Sequence, residues 1–326
     1  MSEIVSNRPF KSIEEQLVIL KSRGLTITND DEVCKFLMFK NYYNIINRYG
    51  QYYYDPSTQR FNEGTKFDHI VDLYFFDNEL KNVFYRKLMK VESQFKSVLA
   101  HVFCKNHQDD FAYLNPNNFD KDQITSHISL LSGISNQIKY NSGNTAPSNP
   151  IKHHMNKYGH VPFWVLVNNL YFNDVIKLYN VLNKSEQNEI CDIFYTRYIT
   201  EHSVLTQSSD ILTPEQLSTF LNILNDYRNI TAHDNFLFGA KIKTQPKYCS
   251  CVFRTFPNRD TKSQRTLYDA FIVMRVFLEY GTYANLHNRL IKLTKGLCKT
   301  LSPSDVNRLL YAMGFPSEWY DTPKLK

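Results

Sequence analysis

The segment from Phe67 to His107 contains neither glycine nor proline. Apolar residues recur along it at gaps of mostly three, four and seven, which is the spacing of one face of an α-helix. They are Leu73, Phe76, Leu80, Phe84, Val91, Phe95, Val98 and Val102. The pattern predicts one long helix or a kinked pair, up to ~60 Å long at a rise of 1.5 Å per residue.

The composition extends this prediction to the whole chain. Only 10 Gly and 12 Pro occur among 326 residues, below the usual ~7% and ~5%, so we expect a mostly helical protein. No run of apolar residues is long enough for a transmembrane helix, and residues 1–10 lack the apolar region of a secretory signal. The 6 cysteines are scattered, unlike a disulfide framework. We therefore expect a cytoplasmic protein with reduced thiols and no membrane partner.

The positive charge of the chain is concentrated in one region. Residues 241–299 hold 12 Lys and Arg against 3 Asp and Glu, whereas the rest of the chain holds 26 against 29. A basic block in an otherwise nearly neutral protein indicates a polyanionic partner. The alternative is a solvated helix face, especially around Lys292, Lys295 and Lys299.

Local signals place several helix starts. Ser12 with Glu15 forms a capping box, Asn29 or Asp30 can cap a second helix, and Thr213 precedes Pro214 at the first helical position. Further helices are predicted over 161–182, 185–198 and 261–293, and a short one from Ser302 to Gly314. Residues 55–64 and 141–150 are predicted loops. A short strand is predicted over 247–256, between two prolines.

These elements suggest three regions. Residues 1–66 form an N-terminal helical segment, residues 67–240 a helical core, and residues 241–326 a basic C-terminal helical region. The alternative is a single domain.

The helix that begins after Thr213 carries an unusual charge. On a helical wheel, Leu217, Phe220, Leu221, Leu224 and Tyr227 form one apolar stripe, and Arg228 falls in the middle of it. A guanidinium there is costly unless it is paired, or unless the stripe faces a cleft or a subunit interface. His233 would face away on an ideal helix. The two converge only if the helix ends or distorts, or through partners from a second copy.

An arginine and a histidine suit one reaction well. Arginine binds phosphate bidentately and neutralises the charge that develops on it, and histidine exchanges protons near neutral pH. RNA supplies its own nucleophile, the 2′-hydroxyl, so cleavage through a cyclic phosphate needs no metal and no cofactor. The basic block would hold the RNA backbone. Its candidate RNA-binding residues are Lys241, Lys243, Lys247, Arg254, Arg259, Lys262 and Arg265.

The spacing of this pair is weak evidence by itself. It recurs at Arg197 and His202, which we interpret as a decoy because His202 lies at a helix end beside Glu201. The alternative for Arg228 and His233 is an arginine paired with a buried acid and a surface histidine.

Other features favour ordinary roles. Cys249 and Cys251 lack a second ligand pair at zinc-finger spacing, so we expect plain cysteines and no metal site. The abundant Tyr and Phe, and the segment around Trp164, are predicted to be core, although aromatic rings can also stack on bases. His153, His154 and His160 are expected to be solvated, with RNA contact as a less favoured role.

Several segments together resemble a known family. Arg8-Pro9-Phe10, Asn41-Tyr42-Tyr43, Leu73-Tyr74 with Asp77, Val161-Pro162-Phe163-Trp164 and Gly314-Phe315-Pro316 occur in the order found in the Abi-like (Abi_2) family of bacterial abortive-infection proteins. Arg228-Asn229 with Ala232-His233 resembles the signature of HEPN-domain ribonucleases. The resemblance implies an all-α HEPN-type helical bundle with additional N- and C-terminal helices, which leaves room for one short β strand or hairpin.

The resemblance also implies roles. Arg228 and His233 would be the catalytic pair of a metal-independent endoribonuclease, Asn229 a polar helper, and Asp77 and Glu92 supporting acids that can pair with Arg228. HEPN sites are usually composite across a dimer, which implies a homodimer. Toxic activity in anti-phage defence would require control, by an inhibitory small RNA or a phage trigger. The alternative is a non-catalytic RNA-binding module.

The sequence departs from the family pattern in two respects. Lys81 and Lys96 stand where arginine is expected, which keeps the charge and loses the bidentate fork. Many members end the Arg–His motif with a further arginine, and here Asp234 follows His233. One phosphate contact is therefore in doubt.

Overall fold

The computed structural model describes residues 10–143, 145, 147–204, 207, 210–233, 235–240, 242–256 and 265–326. These residues form fourteen α-helices, short 3-10 turns and one two-stranded antiparallel hairpin. The prediction of an all-α fold with room for one hairpin is confirmed.

The helices are α1 Ile13–Ser22, α2 Asp30–Lys40, α3 Tyr42–Arg48, α4 Phe67–Asn106, α5 Ile124–Ser142, α6 Pro150–Tyr158, α7 Phe163–Leu166, α8 Phe172–Val181, α9 Lys184–Glu201, α10 Pro214–Ala232, α11 Ser250–Phe253, α12 Leu267–Phe277, α13 Tyr280–Leu297 and α14 Pro303–Ala312. The strands are β1 Tyr54–Asp55 and β2 Arg60–Phe61.

The chain divides into two compact units. The first comprises residues 1–80 and 293–306, and the second comprises residues 81–292 and 307–326. The boundary falls inside the 40-residue helix α4, which is unbroken as its sequence predicts. The division into 1–66, 67–240 and 241–326 stays a prediction.

The first unit contains the hairpin. Its helix α1 begins with the predicted capping box between Ser12 and Glu15. Tyr54 pairs with Phe61 across the two strands, inside the segment predicted to be a loop. The Asp55 carboxylate accepts hydrogen bonds from the Ser57 amide and hydroxyl, which closes the turn. A strand pair of two residues per side is too short to leave an alternating pattern.

The second unit packs around α10, which contacts α8, α9 and α12. Helix α10 begins as predicted, with a capping box between Thr213 and Gln216 and Pro214 at its first position. Its apolar stripe is fully buried, with exposures of 0–1%. The stripe consists of Leu217, Phe220, Leu221, Leu224 and Tyr227. The neighbouring α12 is buried over almost its whole length.

Three predictions about local structure are wrong. The helix predicted over 261–293 is interrupted, because Leu278 is extended between α12 and α13. Residues 161–182 do not form one helix, because Leu170 adopts an extended conformation between a 3-10 turn and α8. The predicted strand over 247–256 contains α11 instead. The three consecutive residues Cys251, Val252 and Phe253 are all buried, which a strand with one solvent face cannot achieve. Tertiary packing overrides the β propensity of this short segment.

Two kinds of feature are absent from the described residues. Within those ranges, no helix combines the length and the apolar character that a bilayer span requires. The same residues contain no group of three or more His, Cys, Asp or Glu side chains placed to hold a metal ion.

Candidate functional site

The site is built on the last turns of α10. Arg228 follows the buried Tyr227, and its side chain is 27% exposed. Arg228 therefore stays partly accessible to solvent at the end of a buried apolar stripe. Asn229, the next residue, is exposed. The Arg228 Nη1 lies 3.5 Å from the Asn229 Oδ1, at the limit of a hydrogen bond.

Glu92 anchors Arg228 from α4. The Arg228 Nε donates to the Glu92 Oε2 at 3.1 Å. Lys96 donates to the other carboxylate oxygen at 2.7 Å. Glu92 and Lys96 are only 5% and 7% exposed. Two cations share one carboxylate, so the cluster keeps an excess positive charge that favours an anionic ligand.

Lys96 also supports the break between α7 and α8. Its Nζ donates to the Leu170 carbonyl at 2.8 Å, where the chain leaves its helical path. This carbonyl would otherwise lack an intrahelical donor. Lys96 therefore connects the site to the adjoining backbone. The four-residue spacing of Glu92 and Lys96 on the predicted helix indicates the ion pair between these two residues.

His233 lies where the helix ends. Helix α10 stops at Ala232, and His233 takes the C-cap position with extended backbone (φ −107°, ψ 160°). On an ideal helix His233 would face away from Arg228. That expectation does not apply here, because the chain leaves the helix at His233. His233 is exposed, and neither ring nitrogen has a hydrogen bond among the described residues. Asp234 lies outside those residues.

Asp77 belongs to the first unit. It is fully buried, and its carboxylate accepts a hydrogen bond from the Tyr49 hydroxyl at 3.0 Å. Its role as a supporting acid stays a prediction. Glu92 makes the contact with Arg228 that was expected of a supporting acid.

Arg197 and His202 have contacts typical of a core. Arg197 donates to the Phe277 carbonyl and to Gln94. His202 accepts from the Arg275 Nε at Nδ1 and donates from Nε2 to the Leu278 carbonyl at 2.8 Å. Burial, opposed by that carbonyl bond, lowers the pKa of His202, so the ring is neutral at physiological pH. These contacts agree with our interpretation of the pair as a decoy.

Part of the basic block is paired with acids. Lys247 contacts Glu215 at 2.5 Å, with both side chains exposed. Arg254 contacts the buried Asp210 at 2.8 Å. Hydrogen bonds from Ser250 and the Gln207 amide lower the pKa of Asp210. The burial of Asp210 indicates that its pair with Arg254 is a structural contact.

The remaining candidates of the block divide into two groups. Lys243 and Arg265 are exposed, as an RNA-binding role requires. Lys241, Arg259 and Lys262 lie outside the described residues.

Cys249 and Cys251 lie within this basic block in the sequence. The Cys249 and Cys251 sulfurs are 3.1 Å apart and buried. The hydrogen bond between them lowers the pKa of Cys249 and raises that of Cys251. Both are free thiols and both are buried, so we interpret them as core cysteines.

Comparison with known proteins gives one match. Residues 35–239 match the family described as Abi-like protein (Abi_2). The matched segment includes Glu92, Lys96, Arg228 and His233. Neither the curated proteins nor the solved structures contain a match. Because the family match covers more than half of the chain, this protein belongs to the Abi-like protein family.

Proposed function

We propose that the protein is a metal-independent endoribonuclease of HEPN type. One observation carries the proposal most directly. Arg228 donates from Nε to the buried Glu92 while its side chain stays 27% exposed, and the exposed His233 follows at the helix end. An oriented guanidinium and an imidazole five residues later are the two kinds of group that phosphodiester cleavage requires.

The reaction uses the 2′-hydroxyl of RNA as nucleophile. A neutral imidazole takes the 2′-hydroxyl proton as the oxygen attacks phosphorus and the bond to the 5′-oxygen breaks. A protonated imidazole returns a proton to that leaving oxygen. The products are a 2′,3′-cyclic phosphate and a 5′-hydroxyl. Arg228 neutralises the charge on the phosphoryl oxygens in the transition state, and Asn229 orients the substrate.

One imidazole cannot act as base and acid in the same step. We therefore propose a homodimer in which His233 from each copy supplies one of the two roles. The five apolar residues of the stripe are buried within one copy, so the second copy would approach at Arg228 and His233 themselves.

Family membership suggests the biological setting. The Abi-like name indicates abortive infection, in which a cytoplasmic ribonuclease would arrest the infected cell. Such a toxin requires restraint in uninfected cells, and an inhibitory small RNA or a phage-derived trigger would provide it.

A second candidate is a non-catalytic RNA-binding module. The exposure of Lys243 and Arg265 and the excess charge around Glu92 suit both functions equally. The Arg–His pair would then grip a phosphate without cleaving it.

Incubation of the purified protein with total RNA in EDTA separates the candidates. We expect cleavage by the wild type and none by Arg228→Ala or His233→Ala. Intact RNA in all three samples, with RNA still bound, would contradict the nuclease. Cleavage that persists in both variants would contradict the site assignment.

A further inference from the structure

A pocket lies at the C-terminal end of α4, about 220 Å³ in volume. It is enclosed by the end of that helix, residues 107–113 and residues 160–164, and we call it the α4–α7 pocket. Its floor is aromatic, because Phe103, Tyr113 and Phe163 line it and are at most 3% exposed. The Tyr113 hydroxyl donates to the Val161 carbonyl at 2.9 Å, which fixes the floor to the wall.

Trp164 forms part of the pocket lining. The sequence predicted this tryptophan to be core, and that prediction is wrong, since it is 59% exposed while Phe163 beside it is buried. A large exposed aromatic ring beside a cavity is a typical binding feature. Phe111, also in the lining, adopts a left-handed backbone with φ of 55°. A bulky residue there is strained, and such strain clusters at ligand sites.

Two carboxylates and two histidines are among the polar groups that line the pocket. Asp109 and Asp110 line it, and Asp110 Oδ1 lies 3.3 Å from the His160 Nε2. His107 is held at Nε2 by the buried Glu186 at 2.9 Å. Carboxylates beside aromatic rings suit a flat ligand that presents N–H donors. They disfavour a phosphate inside the pocket.

A basic groove lies along α6, close in sequence to the pocket. Its five lining residues are all neutral or basic, and they include Lys152, His153 and Lys157. Only Tyr158 and Gly159 separate Lys157 from His160 of the α4–α7 pocket. A nucleotide could therefore place its base among the rings and its phosphate on the groove.

We propose that the α4–α7 pocket binds a guanine base of single-stranded RNA, with the neighbouring phosphate on the α6 groove. Stacking on Trp164 supplies affinity. Guanine is selected because its Watson–Crick edge presents adjacent N1–H and N2–H donors to a carboxylate, whereas adenine, cytosine and uracil each place an acceptor next to their donor. That RNA is the natural ligand rests on the proposed function.

Tryptophan fluorescence tests the pocket directly, because the chain has 2 Trp and Trp319 is 6% exposed. Guanosine monophosphate should quench the wild-type emission saturably and Trp164→Phe emission hardly at all. Calorimetry should show affinity about tenfold weaker in Trp164→Ala and in Asp110→Asn. Tyr140→Ala, which removes an 81% exposed aromatic outside the lining, is the matched control and should bind like the wild type.

Three results would overturn the proposal. One is the absence of saturable quenching up to millimolar nucleotide. Another is equal affinity for all four nucleoside monophosphates. The third is unchanged affinity in both Trp164→Ala and Asp110→Asn, provided that thermal unfolding shows both variants to be folded.

The pocket and the proposed nuclease can fail separately. Mononucleotide binding does not require Arg228 or His233, so quenching without RNA cleavage in EDTA would support the pocket and contradict the nuclease. RNA cleavage without quenching would support the nuclease and contradict the pocket. With single-stranded oligomers and the His233→Ala chain, guanine-containing RNA should bind more tightly than RNA without guanine.

Discussion

Arg228 Nε donates to Glu92 Oε2 at 3.1 Å, across 136 residues of sequence. The same carboxylate accepts from Lys96 at 2.7 Å, so one buried anion orients two cations from two helices. The contact occupies the Nε edge of the guanidinium.

Glu92→Gln should destabilise the protein by about 3 kcal/mol, because Lys96 and Arg228 would lose the anion that compensates their burial. Urea unfolding of the variant measures the loss of free energy. Glu215→Gln removes the exposed partner of Lys247 and should leave the free energy of unfolding almost unchanged, because solvent screens an exposed ion pair. Equal stability losses in the two variants would show that Glu92 is not the anchor.

Arg228→Lys tests whether RNA cleavage needs the bidentate geometry of a guanidinium. Lysine keeps the charge but cannot both hold Glu92 and grip a phosphate bidentately. We expect RNA cleavage to fall about 100-fold or more while RNA binding falls much less. Initial rates of cleavage in EDTA and filter binding give the two values. Wild-type rates in the variant would mean that charge alone suffices.

His233 and His202 should respond oppositely to alanine substitution. His233 is exposed, so its loss should change stability by less than about 0.5 kcal/mol and reduce cleavage by about 100-fold or more. His202 is buried and bonded at both ring nitrogens. Its loss should lower the thermal unfolding temperature and spare the cleavage rate of the folded fraction. The reverse pattern would identify His202 as the active histidine.

Stability should fall as the pH decreases from about 7 to about 5. The folded-state pKa of His202 lies below its ordinary value of 6.5 because of burial. Below pH 6.5 the unfolded chain therefore binds a proton that the native chain does not, which favours unfolding. Burial also lowers the pKa values of His127 and His287. His202→Gln can replace both hydrogen bonds without titrating.

Thermal unfolding temperatures of wild type and His202→Gln, measured across this pH range, provide the check. The variant should show a shallower decline that is not abolished, since two lowered histidines remain. An unchanged slope would mean that His202 does not carry the effect.

Lys243 and Arg265 should contribute to RNA affinity through phosphate contacts. The double substitution to alanine should weaken binding and reduce the slope of log affinity against log salt by about 1.4, that is, about 0.7 for each contact with single-stranded RNA. Fluorescence anisotropy over a salt series measures the slope. Lys177→Ala removes an exposed lysine of α8, paired with Asp174, and should leave the slope unchanged.

Features governed by local sequence were predictable. The capping boxes at Ser12 and Thr213 and the long helix α4, one of the two alternatives predicted, follow from spacing and cap residues. Helix boundaries and periodicity depend on neighbours within a few turns, which the sequence contains in full. The buried stripe of α10 follows for the same reason.

Features that depend on distant partners were not predictable in detail. β propensity indicated a strand where α11 lies, and the surroundings of Trp164 indicated core where a pocket rim lies. The helix break at Leu170 was not predicted from the sequence. Its carbonyl accepts a hydrogen bond from the Lys96 amine, which is distant in sequence. Each outcome depends on packing from elements far away in sequence, which local preference cannot represent.

The sequence by itself determined the helical architecture and the family, and it indicated Arg228 and His233 as the candidate pair. Only the tertiary structure decided that Glu92 shares its carboxylate between Arg228 and Lys96. It also decided that His202 is buried, and that acids pair with Lys247 and Arg254. The physical reason is that a helix is specified by contacts a few residues apart, whereas the partner of a buried charge is chosen by which elements pack together.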